Sequence, residues 1–215
     1  MKPHAGEPLA VAGTSLGDSP AVMIMVHGRN AGPQNILDLV PRFERPDFTY
    51  LAPAAAGRTW YPLSFMAERD KNEPGISSGL WVLEQIVADV VAWGIPRTSI
   101  LLLGFSQGAC LSAEFAVEHA DRYGGVILYS GGAIGAPGTT WPCPGSFGGT
   151  PVFLGCSDVD AHVPKTRVDE SAALFTRMGA TVTERIYPGM GHLVNDDEIA
   201  FTRDLMAEVL PLPTG

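Results

Sequence analysis

The chain is 215 residues long and 46% hydrophobic, and its 23 acidic against 14 basic residues leave a formal charge of −9. That length fills one well-packed core and is short for two, so a single domain over residues 1–215 is expected. The acidic balance, with no basic cluster longer than two residues, argues against nucleic acid and anionic membrane as partners and fits a solvated, soluble surface.

From the amino terminus, Met1-Lys2-Pro3-His4-Ala5-Gly6-Glu7-Pro8 lacks the apolar centre of a signal peptide. Residues 9–16 read as an antiparallel edge strand. Val22–Val26 is continuously apolar, as expected of a parallel strand covered on both faces, and His27-Gly28 follow it. A short helical pattern over 34–43 precedes a strand pattern at 48–51. Residues 53–78 lack regular patterning. Their most apolar piece is Thr59-Trp60-Tyr61-Pro62-Leu63-Ser64-Phe65-Met66, in which Trp60 and Leu63 face a substrate if the segment walls a pocket, or a small local core if it does not. A longer helix over 79–93 carries Leu80, Leu83, Ile86, Val87, Val90 and Val91 on one stripe.

Strand patterns at 100–103, 126–129, 151–155 and 182–187 then alternate with helical patterns at 107–119, 165–178 and 196–210. This alternation predicts an α/β fold: a mostly parallel, doubly wound sheet flanked by helices. Residues 130–150 fall where a larger protein of this architecture can insert a helical lid. The connection is rich in Gly, Pro and Thr and has no room for one, so the site should be open. No apolar run approaches the roughly 20 residues of a bilayer span, and stable membrane insertion is not expected. Cys110, Cys143 and Cys156 are odd in number and show no metal spacing; Cys110 and Cys156 read as core thiols in a reducing, cytoplasmic compartment.

Gly104-Phe105-Ser106-Gln107-Gly108 carries the chemistry. A buried strand before it and a helix after it make this G-x-S-x-G a nucleophile elbow, a turn so tight that its serine takes a strained conformation and its glycines let strand and helix approach. A serine hydroxyl needs a base to take its proton, and the base needs a third group to hold it. Of the histidines downstream, His119 ends the elbow helix and reads as a dipole partner there. His162 lies two residues after an acid, too close to it in sequence. His192 sits in Gly189-Met190-Gly191-His192, beyond the carboxyl end of a strand where catalytic groups collect, and is the candidate base. Two aspartates compete for the third role in Cys156-Ser157-Asp158-Val159-Asp160-Ala161-His162-Val163-Pro164. Asp158 comes sooner after the strand, but Asp160 has the D-x-x-V-P spacing to the Val-Pro that opens the next helix, and is favoured; the other reads as a loop-capping carboxylate. The intermediate's oxyanion needs two preorganised amides. One is that of Gln107, at the start of the elbow helix, and the other belongs to the loop after Val22–Val26.

Taken together, His27-Gly28, Gly104-Phe105-Ser106-Gln107-Gly108-Ala109, Asp158 to Pro164, and Tyr187-Pro188-Gly189-Met190-Gly191-His192 resemble the small lidless phospholipase/carboxylesterase group of the α/β-hydrolase superfamily, which includes acyl-protein thioesterases. The resemblance runs over essentially the whole chain. It supports Asp160, since the family's acid lies three residues before the valine of the Val-Pro, and it points to the backbone amide of Arg29 as the second oxyanion donor. One departure is visible: the family often carries x-Gly after His-Gly, and here Arg29-Asn30 follows. The Arg29 side chain reads as solvated or as meeting an acidic part of a substrate, and His27 as fixing its loop through its ring nitrogens.

The expected activity is therefore that of a serine carboxylesterase on short- to medium-chain, small-molecule acyl esters, with no cofactor and no metal: no dinucleotide fingerprint or phosphate loop follows a strand, and the histidines form no metal set. Thioester or lysophospholipid hydrolysis on the same fold is the nearest alternative. A dienelactone hydrolase is disfavoured because the elbow holds serine, not cysteine. A non-catalytic binding protein on a hydrolase scaffold is disfavoured because a full set of candidate residues is present.

Overall fold

In the computed structural model, which describes residues 2–211, seven strands form one sheet. They are β1 (Leu9–Gly13), β2 (Val22–Val26), β3 (Thr49–Pro53), β4 (Ile100–Phe105), β5 (Gly125–Tyr129), β6 (Pro151–Ser157) and β7 (Thr181–Tyr187). Their spatial order is β1-β3-β2-β4-β5-β6-β7. β1 runs antiparallel to β3, and every other pairing is parallel.

Successive side chains of a strand leave for opposite faces, and both faces of this sheet are covered. On one side Val22, Ile24, Ile100, Leu102, Val126 and Leu128 pack against α3 (Gly75–Ala92), α4 (Gln107–Glu118) and α5 (Lys165–Arg177) through Leu80, Leu83, Leu111 and Val168. On the other side Met23, Met25, Leu101, Leu103 and Ile127 meet Ile36 and Leu37 of α1 (Pro33–Leu37), Phe43 of α2 (Val40–Phe43), and Ile199, Leu205 and Met206 of α6 (Asp196–Val209). Burial on two sides explains why these strands read as unbroken apolar runs. α3 has the length and hydropathy of a membrane span, yet half of it is buried within this fold.

Three details depart from the sequence reading. The helix expected over 34–43 is two short helices, α1 and α2. Pro41 is the cause, because it has no N–H to give the Leu37 carbonyl and its ring crowds that oxygen, so α1 stops and a new helix starts with Pro41 in its first turn. α3 begins at Gly75, before the predicted residue 79, because Ile76 falls on the same buried stripe as Leu80 and Leu83 although its Gly and Ser neighbours are weak helix formers. β1 ends at Gly13, short of residue 16. Residues 130–150 contain no helix or strand, as expected of a chain without a lid. The fully buried Arg167 of α5 holds this connection down by donating to the carbonyls of Ala133 (2.9 Å) and Gly135 (2.7 Å).

Candidate active site

The loops that leave the carboxyl ends of β2, β4, β6 and β7 converge at one edge of the sheet, where open α/β folds hold their ligands. Ser106 lies between β4 and α4 with φ +56° and ψ −121°, a left-handed conformation that non-glycine residues rarely adopt. The surroundings enforce it. The Ser106 amide donates to the Tyr129 carbonyl of β5 (2.9 Å), and its carbonyl accepts from Cys110 as α4 begins (3.0 Å). The flanking glycines are needed for space: a Cβ on Gly104 would lie 2.4 Å from the Gly108 carbonyl oxygen, and one on Gly108 would lie 2.1 Å from that of Val26. The Gln107 amide is the first N–H of α4, with no partner inside the helix by position.

His192 stands over this serine. Its Nε2 lies 2.8 Å from Ser106 Oγ and its Nδ1 lies 2.7 Å from Asp160 Oδ2. The Asp160 carboxylate is fully buried, and its other oxygen accepts from the amides of His162 (2.8 Å) and Val163 (3.0 Å). Burial pushes Asp160 up, but the bond to His192 and the two amides outweigh it and hold the group below its ordinary range. A charged acceptor on Nδ1 fixes the imidazole with its proton there and its Nε2 lone pair toward the serine. Asp158 does a different job: its Oδ1 accepts from the Gly189 amide (2.8 Å) while Ser157 Oγ accepts from that of Gly191 (3.0 Å). The two residues clamp the loop that carries His192.

A cleft of about 480 Å³ opens beside these groups, lined among others by Gly28, Arg29, Tyr61, Leu63, Phe65, Phe105, Cys110, His162 and Val163. The β2 loop reaches it through Gly28, where an added Cβ would touch Ser106 Cβ at 3.4 Å. His27 anchors that loop. Its Nε2 accepts from the Ala55 amide (3.1 Å) and its Nδ1 donates to the Gly28 carbonyl (2.8 Å), the pattern of a neutral ring, and burial lowers its pKa against the opposing bond to Gly28.

Of the two expected wall residues, Leu63 lines the cleft and is 45% exposed, whereas Trp60 does not reach it. Trp60 is fully buried as a strut: its indole Nε1 donates to the His27 carbonyl (2.9 Å), and its amide donates to Oε1 of Gln107 (2.9 Å). The Gln107 side chain completes the clamp by donating to the Tyr61 carbonyl (2.8 Å). The Arg29 side chain is anchored to the main chain. It crosses the cleft rim and donates to the carbonyls of Pro62 (2.8 Å) and Leu63 (2.5 Å). His162, set aside as a base from its sequence position, lines the cleft with its ring edge-on to His192 at 4.8 Å. Phe105 packs on the same imidazole at 5.0 Å. Both were findable as neighbours of the motif residues, but neither carries a chemical signal of its own. His119 stacks on Phe115 at the end of α4, away from this cleft.

The sequence pattern of the family described as Phospholipase/Carboxylesterase matches residues 15–210. A crystal structure of a phospholipase/carboxylesterase from Dyadobacter fermentans is 35% identical with a TM-score of 0.91, covering 96% of this chain and 98% of that one. A carboxylesterase from Mesorhizobium loti, at 21% identity, TM-score 0.71 and 94% coverage of both chains, shares the fold. Acyl-protein thioesterase 1 of Eremothecium gossypii is 28% identical over 172 residues, which are 75% of this chain and 70% of that protein. For the Neurospora crassa protein of the same name the figures are 27% over 145 residues, with 59% of its length matched.

Proposed function

The chain belongs to the phospholipase/carboxylesterase family of α/β-hydrolases, and we propose that it is a serine carboxylesterase that cleaves short- to medium-chain acyl esters through an acyl-enzyme on Ser106. The observation that carries this reading is the continuous line Ser106 Oγ–His192 Nε2–Asp160, at 2.8 and 2.7 Å, at the mouth of the cleft. His192 takes the hydroxyl proton as Ser106 attacks the ester carbonyl, and the buried Asp160 carboxylate stabilises the imidazolium that forms. The amides of Gln107 and Arg29 donate to the oxygen on which charge develops. His192 then returns the proton to the departing alcohol, and a water activated by the same imidazole releases the acid.

A second reading, hydrolysis of acyl thioesters by the same residues, is favoured by the relatives named acyl-protein thioesterase 1. The triad chemistry is indifferent to whether oxygen or sulfur leaves, so the two are separated by rate: kcat/KM for matched 4-nitrophenyl esters and acyl-coenzyme A thioesters. Both readings share one requirement. A fluorophosphonate should label wild type at Ser106, and Ser106→Ala should lose the label and at least about 10⁴-fold in turnover while keeping its circular dichroism spectrum. Unlabelled wild type, or an Ala variant with appreciable turnover, removes the acyl-enzyme.

A further inference from the structure

We propose that a second hollow beside the residue 28–31 loop is a subsite for an anionic group, a carboxylate or a phosphate, on the alcohol half of the ester. The proposal rests on the esterase reading above and names a class of substrate for it. The hollow has a volume of about 270 Å³ and adjoins the cleft, sharing Gly28, Arg29, Asn30, Ala31 and Phe105 with it and adding His27, Asn35, Ile36 and Arg58. The apolar walls made by Leu63, Phe65 and Val163 belong to the cleft alone, which assigns the acyl chain there and leaves the adjoining hollow to the alcohol.

Charge sets this region apart from the rest of the molecule. The chain carries −9 overall, yet among the described residues no carboxylate lines either hollow, and the charged side chains that do are Arg29 and Arg58. Of the nine other arginines, seven sit within 4.0 Å of a carboxylate, and the two that do not, Arg122 and Arg177, line neither hollow. Arg29 and Arg58 instead contact main-chain carbonyls: Arg29 those of Pro62 and Leu63, and Arg58 that of Ala31 through its Nε, at 3.4 Å. Guanidinium groups in a concave, acid-free mouth focus a positive potential on it, and their forked donors match a carboxylate or phosphate.

The backbone holds Arg58 in place at the expense of strain. Gly57 and Arg58 are consecutive left-handed residues at φ +60° and +61°, and Asn30 across from them is left-handed at φ +60°. The Asn30 amide donates to the Arg58 carbonyl (2.8 Å), which ties the two strained turns together. Strain of this kind persists where the surroundings over-determine it, and it collects at ligand clamps. Here it places a guanidinium whose two terminal nitrogens donate to no other group among the described residues.

The test compares three butyrate esters of closely similar size: those of 3-hydroxybenzoate, of 3-hydroxyphenyl phosphate, and of neutral methyl 3-hydroxybenzoate. Wild type should favour one or both anionic esters over the neutral one in kcat/KM, and that ratio should fall as NaCl rises from about 0.02 to 0.5 M. Arg58→Gln should cut the ratio about tenfold, chiefly through KM, and Arg58→Lys should cut it less because the charge remains. The arm that responds more identifies the anion. A ratio unmoved by salt and unchanged in both variants overturns the subsite while leaving ester hydrolysis standing. Failure of wild type to cleave any of the three, together with no fluorophosphonate label, overturns the esterase reading and the subsite with it.

Discussion

Asp158 and Asp160 are two residues apart on one loop and are held for different ends, which a pair of variants can separate. Asp160→Asn keeps a side chain that can bond His192 Nδ1 but favours the wrong tautomer, a change worth roughly 10⁴-fold in kcat in a serine protease. Asp158→Asn leaves a carbonyl oxygen that can still accept from the Gly189 amide, as Asp158 Oδ1 does at 2.8 Å. The expected outcome is a loss of thousands-fold or more for Asp160→Asn and less than about tenfold for Asp158→Asn; the reverse order in measured kcat would transfer the role to Asp158. The spacing to Val163-Pro164 pointed to the same residue because that spacing has a local cause, the Val163 amide donating back to Asp160 at 3.0 Å. The strut role of Trp60 and the anchoring contacts of Arg29 are not legible in this way. The partners of Trp60 lie 33 and 47 residues away, at His27 and Gln107, and those of Arg29 lie 33 and 34 residues away. An indole beside a candidate pocket reads identically whether it faces the cavity or braces it from behind.

Among the elements, α6 carries a polar group at odds with its burial. Asn195 caps this helix, its side chain accepting from the Glu198 amide (2.9 Å) while Glu198 Oε2 accepts from the Asn195 amide (2.8 Å). Reciprocal capping of this kind satisfies two amides that the helix leaves open. The other oxygen, Oε1, is buried against β6 without a partner among the described residues, close enough that a Cβ on Gly155 would meet it at 2.1 Å. Burial raises the carboxyl from 4.5 to about 7, the bond from Asn195 notwithstanding. Because the folded pKa lies above the unfolded one, the folded state binds the extra proton. The contribution is whole below pH 4.5 and is lost as the pH rises through about 7. Glu198→Gln keeps the cap and removes the titration, so it should match wild type near pH 5 and melt several degrees higher near pH 8. Parallel melting curves at both pH values would show that Glu198 does not titrate with folding. Elements of this chain were legible where their pattern is local: the continuous apolar strands, the elbow, and the stripe of α3. They were misread where one residue broke a pattern, as Pro41 divides α1 from α2, or where weak helix formers masked it, as over Gly75 to Ser78.

At the scale of the whole molecule, the connection after β5 decides which esters are handled well. Residues 130–150 form neither helix nor strand, and Arg167 holds their carbonyls down beside α5, so this segment does not form a helical cover over the cleft. Each further methylene of an acyl chain adds about 0.8 kcal/mol only where an apolar wall receives it. The wall is short: Tyr61, Pro62, Leu63, Phe65, Phe105, Val163 and the buried thiol of Cys110, with Leu63 already 45% exposed at the rim. Methylene groups beyond it stay in water, adding nothing to the transition state. In a series of 4-nitrophenyl esters, kcat/KM should therefore climb from acetyl, peak at roughly four to six carbons and fall for longer chains. Phe65→Ala should lower the hexanoyl rate relative to the acetyl one, because it removes wall that only the longer chain touches. Without a cover to open, velocity should follow a simple saturation curve through the solubility limit of the ester, with no jump when an emulsion forms. A specificity constant still rising at dodecanoyl esters would mean that the wall continues past Leu63, and would favour long-chain thioester or lysophospholipid substrates instead.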